Sequence, residues 1–204
     1  MDFRFVVLHH TGLKTGKRGD HWDWLIELPK ASMAKKRSKD SSLSGLDLWS
    51  DYAVIAAGLS QQGPEKNLIA FAIETPLSTR PQGPQPADFQ RLSQPFREGL
   101  LLDAWLGGMF LRLPMHRESY LSYEGPISGG RGHVSRVGRG ALRWFEIGPL
   151  HLRFEIVEAE FFGVASHIST PAPYFLSPTQ LGGESPKPWS DPAPDDSPRW
   201  LLRT

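Results

Sequence analysis

The chain predicts a mainly β fold, on three observations. Its 20 glycines and 18 prolines stand against only moderate apolar content, which favours many short elements and turns over long helices. The apolar residues gather in short runs such as FVVL, LIAFAI and MFLRL, the length of a strand. From Ala141 to Ile168 the segments ALRWFEI and HLRFEIVEAEFFGVASHI alternate apolar with charged residues, the pattern of a meander of half-exposed strands.

Taken in order, the first apolar run, Phe5 to Leu8, predicts a strand that ends on His10, and HWDWLIE, from His21 to Glu27, predicts a second. Between them Gly12, Thr15, Gly16 and Gly19 supply the turn chemistry of a hairpin. Residues 29–45 are basic and serine-rich with no apolar period, so they read as a mobile loop. Residues 46–59, LDLWSDYAVIAAGL, suit either a short helix or a strand. Residues 68–73, LIAFAI, predict a buried strand, which the proline-rich 76–86 breaks. The best helical candidate is 88–105, where Phe89, Leu92, Phe96, Leu100 and Leu101 fall near a 3.6 spacing interrupted by Pro95 and Gly99. A further strand covers 109–113, and the alternating meander follows. Residues 170–198 are rich in proline, serine and aspartate, a tail or an ordered strap whose terminal RWLLR can pin its end to the body. The organisation expected is thus one domain over 1–169 and a C-terminal extension over 170–204.

A chain of 204 residues can bury about 70% of its unfolded surface without staples. It has no cysteine, which excludes a disulfide framework, a thiolate metal site and a cysteine nucleophile, and fits a reducing cytoplasm. No apolar run approaches the roughly 20 residues that cross a bilayer, and MDFRFVV lacks the apolar segment of a secretory signal, so no membrane association is expected. The net charge of +1 gives no global basic field, and any nucleic-acid partner has to be held by a local patch.

The chemistry concentrates in residues 4–27. Side chains two apart on a strand share a face, so His21 and Asp23 project together, and the hairpin returns them towards His10. Two imidazoles and a carboxylate on neighbouring strands make a ligand set for a divalent transition metal with positions left open. His9 faces the opposite way and reads as structural. Arg18, Gly19 and Asp20 spell a cell-adhesion triplet, which reads as chance because nothing else is extracellular in character.

The order FVVxxH, HxDxxxE and a distant HxxxYxxYEG followed by a glycine-rich turn resembles the 3′-phosphoesterase module of bacterial DNA ligase D and its stand-alone relatives, over roughly residues 3–156. The resemblance implies a compact, closed or partly open β-barrel with one or two small flanking helices and a metal-dependent hydrolase that trims 3′-terminal phosphate or phosphoester ends of DNA in strand repair. It implies manganese as the ion, with zinc or cobalt as substitutes. DNA or RNA–DNA 3′ ends are the implied partners, together with DNA ligase or polymerase proteins. His10, His21 and Asp23 fall on the family's metal ligands, His116 on a histidine that meets the phosphate opposite the metal, and Tyr120 on a phosphate-contacting tyrosine. A dication held by nitrogen and oxygen polarises a phosphoryl oxygen, and an imidazole such as His116 can protonate the leaving oxygen. Glu27 matches the end of the second motif, either orienting a ligand or facing solvent.

This chain departs from the family at three positions. Leu25 stands where the module carries an arginine, Leu8 where it has a glutamine, and Pro114 where it has an acidic residue. The lost groups help hold phosphate or the terminal ribonucleotide. An oxyanion still calls for cationic donors, for which a guanidinium is well shaped. Arg112, four residues before His116, shares its side if the strand continues through Pro114, and Arg131 in GGRGH is the second candidate, with Arg136 or Arg139 as alternatives. The rival readings are a nucleic-acid-end binding module of the same fold with little or no turnover, and a small-molecule phosphoesterase.

Overall fold

The computed structural model describes residues 1–12, 21–30, 66–74, 109–148, 151–161, 164–166, 173–179 and 199–203. They form ten strands: β1 Phe3–Thr11, β2 His21–Glu27, β3 Lys66–Glu74, β4 Met109–Arg117, β5 Gly125–Pro126, β6 His133–Ile147, β7 Leu152–Phe161, β8 Val164–Ser166, β9 Tyr174–Pro178 and β10 Arg199–Arg203. Eight of them, in the order β6-β1-β2-β3-β4-β10-β9-β7, close into an antiparallel barrel through the pairing of β6 with β7. β5 and β8 lie alongside β6 and β7. Among the described residues the helical content is one 3₁₀ turn, Glu118–Leu121, and no helix is long and apolar enough to cross a membrane.

The first three strands are apolar on both faces, and the structure gives the reason. Alternate residues Phe3, Phe5 and Val7 of β1, Trp22, Trp24 and Ile26 of β2, and Ile69, Phe71 and Ile73 of β3 fill the main core with Phe154, Leu176 and Trp200 from the far side. Their rings meet edge to face, Phe5 on Trp24 at 6.1 Å and Trp24 on Phe154 at 5.7 Å, a packing suited to aromatic quadrupoles. The intervening residues Val6, Leu8, Leu25, Leu68, Ala70 and Ala72 are buried as well, in a second cluster roofed by Leu121, Val134, Tyr120 and Ile127. A strand covered on both faces reads as a continuous apolar run rather than an alternating one.

The segment read as an extension supplies barrel staves. β10 pairs with β4 on one side and β9 on the other, and β9 pairs with β7, so the barrel runs past residue 169 to Arg203. RWLLR does more than pin an end, because Trp200 and Leu202 belong to the main core. The helical candidate 88–105, the ambiguous 46–59, the proline-rich 76–86, most of the basic loop 29–45 and the turn residues Thr15, Gly16 and Gly19 lie outside the described residues.

Candidate metal centre

The centre is built on the register of one hairpin. β1 and β2 run antiparallel with His10 opposite His21 and Leu8 opposite Asp23. The twofold alternation of a strand then puts Val6, Leu8 and His10 on one face with His21, Asp23 and Leu25, the face of the second apolar cluster. His9 points the other way, buried, with its ring 5.2 Å from Trp22. His10, His21 and Asp23 each direct a ligating atom into a common space, all within 4.8 Å of one another. His10 Nδ1 lies 3.8 Å from Asp23 Oδ2, and His21 Nε2 lies 3.3 Å from Asp23 Oδ1. Those are separations that ligands show when they share an ion at bonds of about 2.1 Å.

Two features fit the cluster to a cation. His10 Nε2 donates to the carbonyl oxygen of Arg131 at 2.7 Å; a carbonyl only accepts, so Nε2 carries a proton and Nδ1 is the nitrogen that faces Asp23. That carbonyl is delivered by the turn between β5 and β6. Gly132 adopts φ +88°, and a Cβ there would overlap the Thr11 carbonyl, so the turn closes on β1 only with glycine at this position. The second feature is Asp23, which is 5% exposed and whose Oδ1 makes no hydrogen bond. Burial opposes its ionisation, but facing His10 and His21, with His116 further off, outweigh burial and hold the carboxyl well below the usual carboxylate range. A buried anion with an unsatisfied oxygen is costly unless a cation shares it. The N,N,O donor set suits a divalent transition metal.

His116 and Tyr120 line the same cavity, of about 200 Å³, as His10, His21, Asp23 and Arg131. His116 comes from β4, where its Nδ1 donates to the Pro114 carbonyl at 2.8 Å, which fixes the ring. Tyr120 stands edge-on to the His116 ring at 5.2 Å and is backed by Tyr123 at 6.0 Å, itself bonded through its hydroxyl to the Pro126 carbonyl.

The 3₁₀ turn that carries Tyr120 is tied down by residues that sequence reasoning missed. Glu118 accepts from Arg4 Nη2 at 2.8 Å and pairs with Lys30 at 3.5 Å, while Arg4 also grips Glu27 at 2.7 Å. Glu27 therefore neither orients a ligand nor faces solvent: it closes an ion pair at the opposite end of β2 from His21. Arg4 and Glu118 stand 114 residues apart, and no local pattern marks them as partners.

The structure does not bring Arg112 to the site. β3 and β4 shift register between Leu68↔His116 and Ala70↔Leu113, so β4 carries an extra residue around Pro114. A bulge of one residue reverses the facing of everything beyond it. Arg112 accordingly shares the core side with Phe110, is 3% exposed, lies over the Phe71 ring at 5.8 Å and donates to the Leu113 carbonyl. Arg131 is at the cavity, where its carbonyl holds His10 while its guanidinium Nε donates to the Ser128 carbonyl of the same turn at 2.9 Å. Arg136 pairs with Glu124 and Arg139 with Glu160, both on a neighbouring groove rather than in this cavity.

Comparison with known proteins finds no family model and no curated protein that matches this sequence.

Proposed function

We propose that the chain is a divalent-metal phosphoesterase of the DNA ligase D 3′-phosphoesterase kind, acting in the cytoplasm on 3′-terminal phosphate or phosphoester ends of DNA. The observation that carries this reading is the convergence of His10, His21 and Asp23 in one cavity with His116 and Tyr120. The ordered motifs quoted above add the substrate class. Manganese is the ion proposed, with zinc and cobalt as functional substitutes.

His10 Nδ1, His21 Nε2 and one oxygen of Asp23 would hold the ion, which when bound supplies Lewis-acid polarisation of a phosphoryl oxygen. The Arg131 carbonyl keeps His10 in the ligating tautomer. A water attacks phosphorus as the ester P–O bond breaks; His116, anchored at Nδ1 by Pro114 and doubly protonated, gives its Nε2 proton to the departing alkoxide oxygen, and the proton of the attacking water passes to the phosphate product. The Tyr120 hydroxyl donates to a non-bridging oxygen, where its bond strengthens as negative charge accumulates in the transition state. Buried Leu8, Leu25 and Leu113 thin out water around these groups and strengthen every charge interaction among them. Arg131, on an exposed turn, is the arginine that lines the cavity among the described residues, and it meets the phosphate once its guanidinium leaves Ser128.

Mixing the protein and Mn²⁺ with a 3′-phosphorylated primer should release inorganic phosphate, and His10→Ala and His116→Ala should each abolish release. Primer binding without release would replace the enzyme with an end-binding module. The net charge of +1 favours a second reading, a small-molecule phosphoesterase. Primer affinity that falls steeply with salt would reject it, because phosphate contacts release counterions.

A further inference from the structure

Tyr120 reaches the cavity from a single short turn. The 3₁₀ segment Glu118–Leu121 has no side-chain cap at its start, and at its end the Ser119 carbonyl accepts from the amides of Ser122 and Tyr123. Ahead of Tyr120 the segment is tied by the pair of Glu118 with Arg4. Behind Tyr120 it is tied by Arg136, whose Nη2 carries two protons and donates to the Ser122 carbonyl at 3.2 Å and to Glu124 Oε1 at 3.0 Å. The Arg136 amide adds a bond to Glu124 Oε2 at 3.0 Å. The Arg136 side chain is 23% exposed against 56% for Arg4, and since an exposed ion pair contributes little, Arg136 is the firmer tie.

A bulge aims Arg136 at this turn. The β1–β6 ladder shifts between Val7↔Gly138 and Leu8↔Arg136, so Val137 is an extra residue. Without it Arg136 would fall opposite His9, on the side of the main core. With it Arg136 shares a face with Leu8, which lines the cavity, and stands two residues along β6 from Val134, the partner of His10. One strand therefore stands opposite the ligating His10 and also holds the turn that carries Tyr120.

Resting on the phosphoesterase reading above, we infer that Arg136 is a positioning residue, which holds the Tyr120 hydroxyl where the phosphoryl oxygen gathers charge. It lines the neighbouring groove rather than the cavity, so it acts through Tyr120 and not on the phosphate. A shift of about 1 Å in such a group can cost about a hundredfold in rate.

The test compares phosphate release from a 3′-phosphorylated primer with Mn²⁺ by the unaltered protein, Arg136→Gln, Tyr120→Phe and the double variant. Fluorine NMR spectra of the same four proteins, metal-free and labelled with fluorotyrosine, accompany it. Tyr120→Phe should leave about a hundredth of the rate, enough to measure. Arg136→Gln should lower kcat about tenfold to a hundredfold and keep KM and Mn²⁺ affinity within about threefold. In the Tyr120→Phe background it should cost less than about twofold, because the group it positions is gone. The chain has four tyrosines, and the Tyr120 resonance, identified by its loss in Tyr120→Phe, should shift or broaden in Arg136→Gln while that of Tyr174, in the main core, stays in place. An equal loss of rate in both backgrounds, a rise in KM at unaltered kcat, or an unmoved Tyr120 resonance would overturn the inference while the phosphoesterase reading stands. If the unaltered protein releases no phosphate, that reading falls and takes the inference with it. Should Arg136→Gln not fold, Glu124→Ala, which frees the guanidinium by removing an exposed carboxylate, carries the same comparison with the same outcomes.

Discussion

Replacing Asp23 by asparagine separates a metal centre from a merely structural carboxylate. The exchange keeps the shape of a side chain that is 5% exposed, removes its charge, and leaves His10 and His21 in place. Without metal the change has two opposing parts: the attraction to the imidazoles is lost, and the cost of burying an ion with an unbonded Oδ1 is relieved. The metal-free variant should therefore melt within about 4 °C of the unaltered protein, equivalent to ~1 kcal/mol. With metal the two should part. An ion present at a hundred times its dissociation constant stabilises a folded protein by about 2.7 kcal/mol, which for a chain of this size raises the melting temperature by roughly 5–10 °C. The unaltered protein should show that rise with Mn²⁺, Zn²⁺ or Co²⁺, and Asp23→Asn should show almost none. Scanning calorimetry with and without each ion measures both quantities. A variant that kept the full rise would refute ligation by Asp23, and an unaltered protein insensitive to all three ions would refute the metal centre.

Further predictions concern the groups around it. His116→Gln should lower phosphate release from a 3′-phosphorylated primer by about 10²- to 10⁴-fold, the worth of a general acid, yet leave Mn²⁺ affinity by calorimetry within about threefold. Gly132→Ala, which forces a Cβ against the Thr11 carbonyl at φ +88°, should destabilise the protein by about 1–3 kcal/mol in urea titrations and weaken Mn²⁺ binding, because the Arg131 carbonyl is drawn off His10. For Glu27, burial opposes ionisation but the Arg4 bonds prevail and lower its pKa in the folded state. The stability it contributes is thus complete above the unfolded carboxylate range and disappears as pH falls through the lower folded value. The deficit in melting temperature of Arg4→Met, clear at pH 7, should shrink below about pH 4, and a deficit constant with pH would count against the pair's role.

The barrel's β character and most of its strands could be read from the chain because strand signals are local. Phe5 to Leu8, HWDWLIE, LIAFAI and the 141–168 alternation each declare themselves within a few residues. The candidate ligands were legible for the same reason: His10, His21 and Asp23 sit on two strands joined by one short connection, and the period of two alone decides which side chains share a face. Arg112 was misplaced because the same rule was carried across Pro114, where one extra residue in β4 reverses the facing. Sequence spacing does not register a bulge, since it is defined by the partner strand. The Arg131 carbonyl went unseen because a backbone acceptor has no residue signature, and every residue carries the same one.

What the sequence determined by itself was the alternation, the turn residues and the donor chemistry, all properties of neighbours along the chain. Tertiary structure decided which distant pieces meet. It seated β10 between β4 and β9 to help close the barrel, braced the Tyr120 turn through Arg4 and Glu118, and brought His116 and Tyr120 to the cavity of the candidate metal ligands. The physical reason is that strand pairing and ion pairing join groups far apart in sequence, whose partners are chosen by the closed shape of the whole barrel and leave no periodic mark on either segment.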